Sequence, residues 1–172
     1  MPSTSGLEID LLPYVSGVTC LVRKGDVMKQ SEMKELVEQL VESWNAHDPD
    51  AVAHCYAADA ISRDVTLTEP LQGRGAIRNA AAMYMRAFPD IRFEIRRIVC
   101  GPDMICEEWR ATGTHEGDLM GLEPTHRKGT TLGCNVIQVG DDGLIHSETT
   151  YWDAAGLYRQ LGSLPELARA AT

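Results

Sequence analysis

The sequence predicts an α+β domain: a cone-shaped barrel of curved antiparallel sheet with three N-terminal helices packed on it. Apolar residues recur at the three- and four-residue spacing of helices up to Phe88, and they alternate with polar residues after Pro89. The connections between the later strands are short, which favours antiparallel pairing. Helices that precede a run of such strands are typical of the α+β class.

The chain has 172 residues, a length that suits one domain. We expect an N-terminal extension over residues 1–30, a single domain over 31–167 and a C-terminal tail over 168–172. The extension mixes Gly, Pro and Ser without a sustained period. No repeat or long linker indicates a second domain.

The first two helices are predicted as a hairpin. The first is expected from Met33, with Ser31 as its N-cap. Its apolar residues share one face: Leu36, Val37, Leu40, Val41 and Trp44. The pair Asp48-Pro49 is a common way to open a helix, which predicts a second short helix over 51–56.

A third helix is expected over 76–88, where Pro89 ends it. A short strand near 64–67 would lie between the second and third helices. The later strands are predicted from alternation and turn signals at residues 91–96, 104–114, 129–139 and 144–152. A short helix over 154–161 would close the domain.

Charge and composition exclude several classes of partner. The chain carries 25 acidic against 16 basic residues and a net charge of −9, which repels nucleic acid and anionic membranes alike. Its apolar runs fall short of a membrane span, and no secretory signal opens the sequence. We therefore expect a cytoplasmic protein that binds neither nucleic acid nor membranes.

Cysteine and histidine spacing argues against a metal site. The five cysteines form no CxxC pair, and the histidines form no HxH or HExxH pattern. Gly73-Arg74-Gly75 lacks the third glycine of a dinucleotide fingerprint, and no GxSxG or P-loop occurs. The prediction is reduced thiols, no metal and no cofactor.

Asp153 is the first candidate for catalysis. It follows the last strand directly after Tyr151 and Trp152, where aromatic neighbours would desolvate a carboxyl group and raise its pKa. The alternative is that Asp153 is only the N-cap of the helix that starts at Ala154. One residue could serve both purposes.

His115 is the second candidate. Alternation along its strand places it on the face of Trp109, Ala111 and Gly113, a small and aromatic face that suits a cavity wall. The alternative is a histidine that is satisfied within the core or a loop. Asn135 and Tyr151 are expected on inward positions of their strands, where they would supply hydrogen bonds.

Three stretches of the chain resemble the SnoaL-like polyketide cyclase (ester cyclase) family of the nuclear transport factor 2-like superfamily. They are residues 44–50 (WNAHDPD), 113–121 (GTHEGDLMG) with 124–125 (PT), and 153–162 (DAAGLYRQLG). The resemblance spans residues 33–165.

The resemblance implies a cone around a deep apolar pocket, assembled as a homodimer or tetramer. It implies an intramolecular aldol ring closure of a polyketide ester, a lyase or isomerase reaction, without metal or organic cofactor. Asp153 would then move the proton and His115 would hydrogen-bond the enolate or the acceptor carbonyl. The residues expected to line the pocket are Trp44, Tyr56, Trp109, Asn135 and Tyr151. A hydrolase or hydroxylase of the same fold and a non-catalytic binding protein are the alternatives.

Overall fold

The computed structural model of the protein describes residues 30–165. In chain order its elements are α1 (Gln30–Asn45), α2 (Pro49–His54), β1 (Tyr56–Asp64), β2 (Leu71–Gln72), α3 (Gly73–Ala87), β3 (Arg92–Cys100), β4 (Met104–Thr114), β5 (Lys128–Val139), β6 (Ile145–Trp152) and α4 (Ala154–Leu161). The expected tail over 168–172 and residues 1–29 of the expected extension lie outside the described residues.

The six strands form one sheet in the order β2-β1-β6-β5-β4-β3. Strands β1 and β6 run parallel, and every other neighbouring pair is antiparallel. The α+β class and the three N-terminal helices are confirmed, whereas the sheet is mixed and unclosed rather than wholly antiparallel. The reason is that β1 and β6 are joined by a long stretch of chain, which can return in either direction.

Two local expectations in the N-terminal half differ from the structure. Helix α1 already includes Gln30, so Ser31 lies inside the helix and is not its cap. Strand β1 covers nine residues and ends at Asp64, where a short strand had been expected to begin. A register shift between Tyr56 and Ile61 interrupts the alternation of inward and outward side chains in β1. The start of this strand therefore could not be predicted from alternation in the sequence.

The capping prediction for α2 is confirmed. The Asp48 side chain accepts hydrogen bonds from the backbone N–H groups of Asp50 (3.0 Å) and Ala51 (2.9 Å). Pro49 occupies the first turn, where no N–H partner is lost. The helix is therefore fixed at its start, and β1 follows it almost at once.

Two apolar clusters hold the fold together. The larger one joins α1, α2 and α3 to the sheet, and it includes Ile105, Ile137 and Ile145, which are fully buried. The smaller one joins the end of α3 to α4 and includes Phe88 and Leu157. Residues of both clusters line one cavity, so the cavity lies where the two clusters meet. None of the helices within residues 30–165 is long and apolar enough to cross a membrane.

Candidate functional site

A row of four polar side chains crosses the inner face of the sheet. Asp64 on β1 is paired in register with Thr150 on β6, which is paired with Asn135 on β5, which is paired with Glu107 on β4. Residues directly opposite each other on neighbouring strands point to the same face. Three strand spacings separate the two ends of the row, about 14 Å between backbones.

This row forms one wall of a cavity whose other walls are apolar. Counted together with the open solvent at its mouth, the empty space is about 1210 Å³. The aromatic side chains that line it are Trp44, Tyr56, Tyr84, Phe88, Phe93, Trp109 and Trp152. Three carboxyl groups line it as well: Asp64, Glu107 and Glu148.

Glu107 is the least exposed of these three residues, at 1% of its surface. Its Oε2 accepts a hydrogen bond from Asn135 Nδ2 (3.0 Å), and Asn135 Oδ1 in turn accepts one from Trp109 Nε1 (3.0 Å). Its Oε1 is buried and has no hydrogen-bond partner within the described part of the chain. The neutral acid would therefore carry its proton on Oε1, since Oε2 already accepts.

Burial raises the pKa of the Glu107 carboxyl group to about 7. The hydrogen bond from Asn135 opposes this shift, and the nearby Glu148 adds to it. A carboxyl group with this pKa is close to evenly divided between acid and base near neutral pH. That is the condition under which a general acid or base is most effective.

Glu148 lies beside this group in a tighter network. Its Oε2 accepts hydrogen bonds from Tyr56 Oη (2.9 Å) and Ser62 Oγ (3.0 Å). Burial raises the pKa of Glu148, while these two hydrogen bonds oppose the rise. Burial and the neighbouring Glu148 also raise the pKa of Tyr56 well above its usual value. Tyr56 therefore remains a hydrogen-bond donor to Glu148.

Asp64 stands at the other end of the row and is only half-buried, so it lies nearer the opening. Trp152 Nε1 lies 3.0 Å from both carboxyl oxygens, and Tyr84 Oη donates to Oδ2 (3.3 Å). Thr66 adds its backbone N–H (2.9 Å) and its hydroxyl (2.7 Å) to Oδ1. A carboxylate, which only accepts, suits this set of donors.

Four of the predicted site residues line the cavity: Trp44, Tyr56, Trp109 and Asn135. Tyr151 does not, and its expected inward orientation is wrong. Thr150 and Trp152 both line the cavity, so Tyr151 between them points to the outer face, where it is 53% exposed.

Asp153 also lies outside the cavity lining, contrary to the expected inward position. Its Oδ1 accepts a hydrogen bond from the Gly156 backbone N–H (2.8 Å), and the residue is the exposed N-cap of α4. The alternation of β6 ends at Trp152, so it does not extend to Asp153. The structure confirms that Asp153 is the N-cap of α4, and its catalytic role stays a prediction.

His115 is fully buried and lies behind the cavity wall rather than in it. Its ring packs against Phe88, with 5.3 Å between ring centroids. Its Nδ1 accepts a hydrogen bond from the Thr125 backbone N–H (3.2 Å), whereas Nε2 has no hydrogen-bond partner among residues 30–165. Strand β4 ends at Thr114, one residue before His115. Its catalytic role also stays a prediction.

The three cavity carboxyl groups were missed by sequence reasoning, although a signal existed for Glu107. Glu107 has the same strand parity as Trp109, which was assigned to the cavity wall. Glu148 has the parity opposite to that of Tyr151, so the expected inward position of Tyr151 placed Glu148 on the outer face. For Asp64 no such signal existed, because β1 is irregular.

The described residues contain no group of three or more His, Cys, Asp or Glu side chains that could hold a metal ion. The carboxyl groups of the cavity are instead engaged with hydroxyl, amide and indole donors. The chemistry these side chains can perform themselves is proton transfer to and from a ligand in an apolar space.

Comparison with known proteins gives a family and several relatives. A family model described as SnoaL-like polyketide cyclase matches residues 34–161. Epoxide hydrolase LasB of Streptomyces lasalocidi is 29% identical over 129 residues, which are 69% of this chain. The alignment spans only 40% of the length of LasB.

Two solved structures from Streptomyces share the fold. AclR of Streptomyces galilaeus, a proposed hydroxylase, superposes with a TM-score of 0.73 and 21% identity, covering 82% of this chain and 91% of AclR. IdmH of Streptomyces antibioticus, a proposed polyketide cyclase, gives a TM-score of 0.65 and 26% identity, covering 75% of this chain and 97% of IdmH.

Proposed function

The chain belongs to the SnoaL-like polyketide cyclase family, and from that premise we propose that it is a general acid/base enzyme. Its substrate would be a hydrophobic, polyketide-like molecule held in the cavity, and its reaction one that proton transfers alone complete. One observation carries the proposal. Glu107 lines an apolar cavity, its Oε1 is buried without a hydrogen-bond partner among residues 30–165, and burial raises its pKa to about 7.

The first candidate reaction is an intramolecular aldol ring closure. Glu107 Oε1, as the carboxylate, removes a proton from the carbon between two carbonyl groups. The enolate carbon then forms a carbon–carbon bond to a second carbonyl carbon, whose oxygen becomes an alkoxide. Glu107 returns the proton to that oxygen, so atoms and charge balance and the enzyme regains its starting form.

The second candidate is the opening of an epoxide by a hydroxyl group of the same molecule. Similarity to epoxide hydrolase LasB and the presence of a second carboxyl group, Asp64, at the other end of the row from Glu107 favour it. Glu107 would donate its Oε1 proton to the epoxide oxygen as the carbon–oxygen bond breaks. Asp64 would take the proton of the attacking hydroxyl group. Water in place of that hydroxyl group would make the reaction a hydrolysis.

The assignment of proton transfer to Asp153 and His115 remains the alternative within the same fold. It rests on the family resemblance, whereas the assignment to Glu107 rests on burial and hydrogen bonding in the cavity. A binding protein without catalysis is the remaining alternative.

The reaction is tested by offering the purified protein two substrate sets in ¹⁸O-labelled water: polyketide-like 1,3-dicarbonyl esters and hydroxy-epoxides. We expect a product of unchanged mass in one set, because ring closure adds no atom. Incorporation of one labelled oxygen would identify hydrolysis instead. Saturable binding of both sets without any product would contradict the proposal and favour a binding protein.

The pH dependence separates the two candidate reactions. If Glu107 acts as the base of an aldol closure, kcat/KM rises as pH rises through about 7. If it acts as the acid of epoxide opening, kcat/KM falls through the same range. The sign of the slope therefore identifies the protonation state that reacts.

We also propose that the protein is a homodimer or a tetramer. Large apolar side chains stand exposed on the outer face of the sheet: Val99, Met104, Leu132 and Tyr151. A second copy of the chain would cover them. Sedimentation equilibrium measures this directly, and a monomer at micromolar concentration would contradict it.

A further inference from the structure

The charged side chains that line the cavity in the described part of the chain are all acidic. Within residues 30–165, its lining includes three carboxyl groups but no lysine, arginine or histidine. Glu148 adds to the raised pKa of Glu107, and Asp64 adds to that of Glu148, so the three groups already disfavour each other's negative charge. A negative charge on the ligand would meet the same repulsion, whereas a positive charge would relieve it.

Glu107 offers an unused acceptor to such a charge. Its side chain is 1% exposed, and its Oε1 has no hydrogen-bond partner in the described chain. Asn135 holds Oε2 at 3.0 Å, which fixes the orientation of the carboxyl group. A ligand N–H group placed at Oε1 would complete the hydrogen bonding of this oxygen.

Aromatic rings line the same cavity as Glu107. Trp109 follows Glu107 by two positions on the same strand face and is linked to it through Asn135. Phe93 lies 5.4 Å from Trp109 and 5.2 Å from Trp44, measured between ring centroids. Ring faces attract cations, and the attraction is strongest for tryptophan in a dry site.

We infer that the cavity selects a largely apolar ligand that carries a protonated amine, seated between Glu107 Oε1 and the rings of Trp44, Phe93 and Trp109. The inference rests on the proposed function in that it assigns a charge class to the ligand of the same cavity. It does not depend on turnover, because it concerns binding alone. A carboxylic acid of the same shape is excluded by the three carboxyl groups.

The amine and the Glu107 proton compete for the same oxygen. Binding of an ammonium group requires Glu107 as the carboxylate, so the affinity falls as pH drops below about 7. The other titratable groups that face the cavity are Tyr56 and Asp64 on β1, Glu148 on β6 and Tyr84 on α3. None of them is a base that could supply a competing cation.

Three non-reacting probes of one shape test the inference by isothermal titration calorimetry: 1-naphthylmethylamine, 1-naphthylmethanol and 1-naphthoate. At about pH 8 we expect the amine to bind about tenfold more tightly than the alcohol, with naphthoate binding more weakly than both. At about pH 5.5 the advantage of the amine should be largely lost, because Glu107 is then protonated.

Two variants test whether Glu107 causes the preference for the amine. Glu107→Gln should abolish the advantage of the amine over the alcohol. Glu108→Gln is the matched control, since Glu108 is the next residue of β4 and its side chain is 45% exposed at a surface ion pair with Arg97. It should bind the three probes as the wild type does.

An amine that binds no more tightly than the alcohol at about pH 8 overturns the inference. So does an advantage that persists in Glu107→Gln. The wild-type comparison stands by itself if that variant does not fold. Turnover of uncharged substrates by a protein without amine preference would overturn this inference and leave the proposed function intact. The reverse result would overturn only the proposed function.

Discussion

Replacing Glu107 with glutamine is expected to lower kcat/KM by about 10²- to 10⁴-fold, the usual contribution of a general acid or base. Glutamine keeps the size of the side chain and can still accept the hydrogen bond from Asn135 Nδ2. It cannot exchange a proton at the position of Oε1. The measurement is steady-state kinetics on the substrate that the product screen identifies, with circular dichroism to confirm the fold.

Two further variants serve as comparisons for this loss of kcat/KM. Glu108→Gln removes a carboxyl group from the outer face of the same strand and should leave kcat/KM within about twofold, because exposed ion pairs contribute little. Asp153→Asn separates the cavity assignment from the alternative, since asparagine is also a good N-cap. Full activity in Glu107→Gln together with a large loss in Asp153→Asn would refute the role of Glu107.

The second large effect concerns stability. The free energy of unfolding is expected to fall by about 3 kcal/mol as pH rises from about 5 to about 8, owing to Glu107 alone. The pKa of this group is about 7 in the folded protein and near 4.5 when it is freely solvated. The folded state therefore binds more protons between these values, and its stability decreases with rising pH. The raised pKa of Glu148 acts in the same direction.

Urea unfolding at several pH values measures this slope, and Glu107→Gln is the control. The variant should lose the part of the slope that Glu107 contributes and become more stable than the wild type at about pH 8, because it no longer buries the Glu107 carboxyl group, which must ionise there. The lowered pKa values of Asp50, Asp90 and Asp142 act only in acid, below the chosen window. A wild-type slope equal to that of the variant would show that Glu107 is not buried in an apolar site.

The elements that could be predicted are those with local signals. Strand β4 was predicted over 104–114, the range it occupies, because its alternation is regular and a turn precedes it. Helix α2 was predicted from its cap, although it ends two residues earlier than expected. The parallel pairing of β1 with β6 could not be predicted. The relative direction of two strands that are far apart in the sequence leaves no local sequence pattern.

The residues of the candidate site also divide into those that a local sequence pattern predicted and those that it did not. Trp44, Tyr56, Trp109 and Asn135 were predicted on the cavity wall, and they line it. Asp153 does not line the cavity, although the end of β6 and the bounds of α4 were predicted correctly. Strand alternation stops at Trp152, so it does not set the direction of the Asp153 side chain, which caps α4. Glu107 lay on a face already assigned to the cavity, yet its burial became evident only from the packing around it.

The sequence by itself determined the helices, most of the strands and therefore the α+β class, because the period of apolar residues is set by each element's own geometry. Only the tertiary structure decided which carboxyl groups share one cavity. Asp64, Thr150, Asn135 and Glu107 come from four strands and form a row only through the register of those strands. The raised pKa of Glu107 likewise arises from side chains distant in sequence, which remove water from it and leave one of its oxygen atoms without a partner.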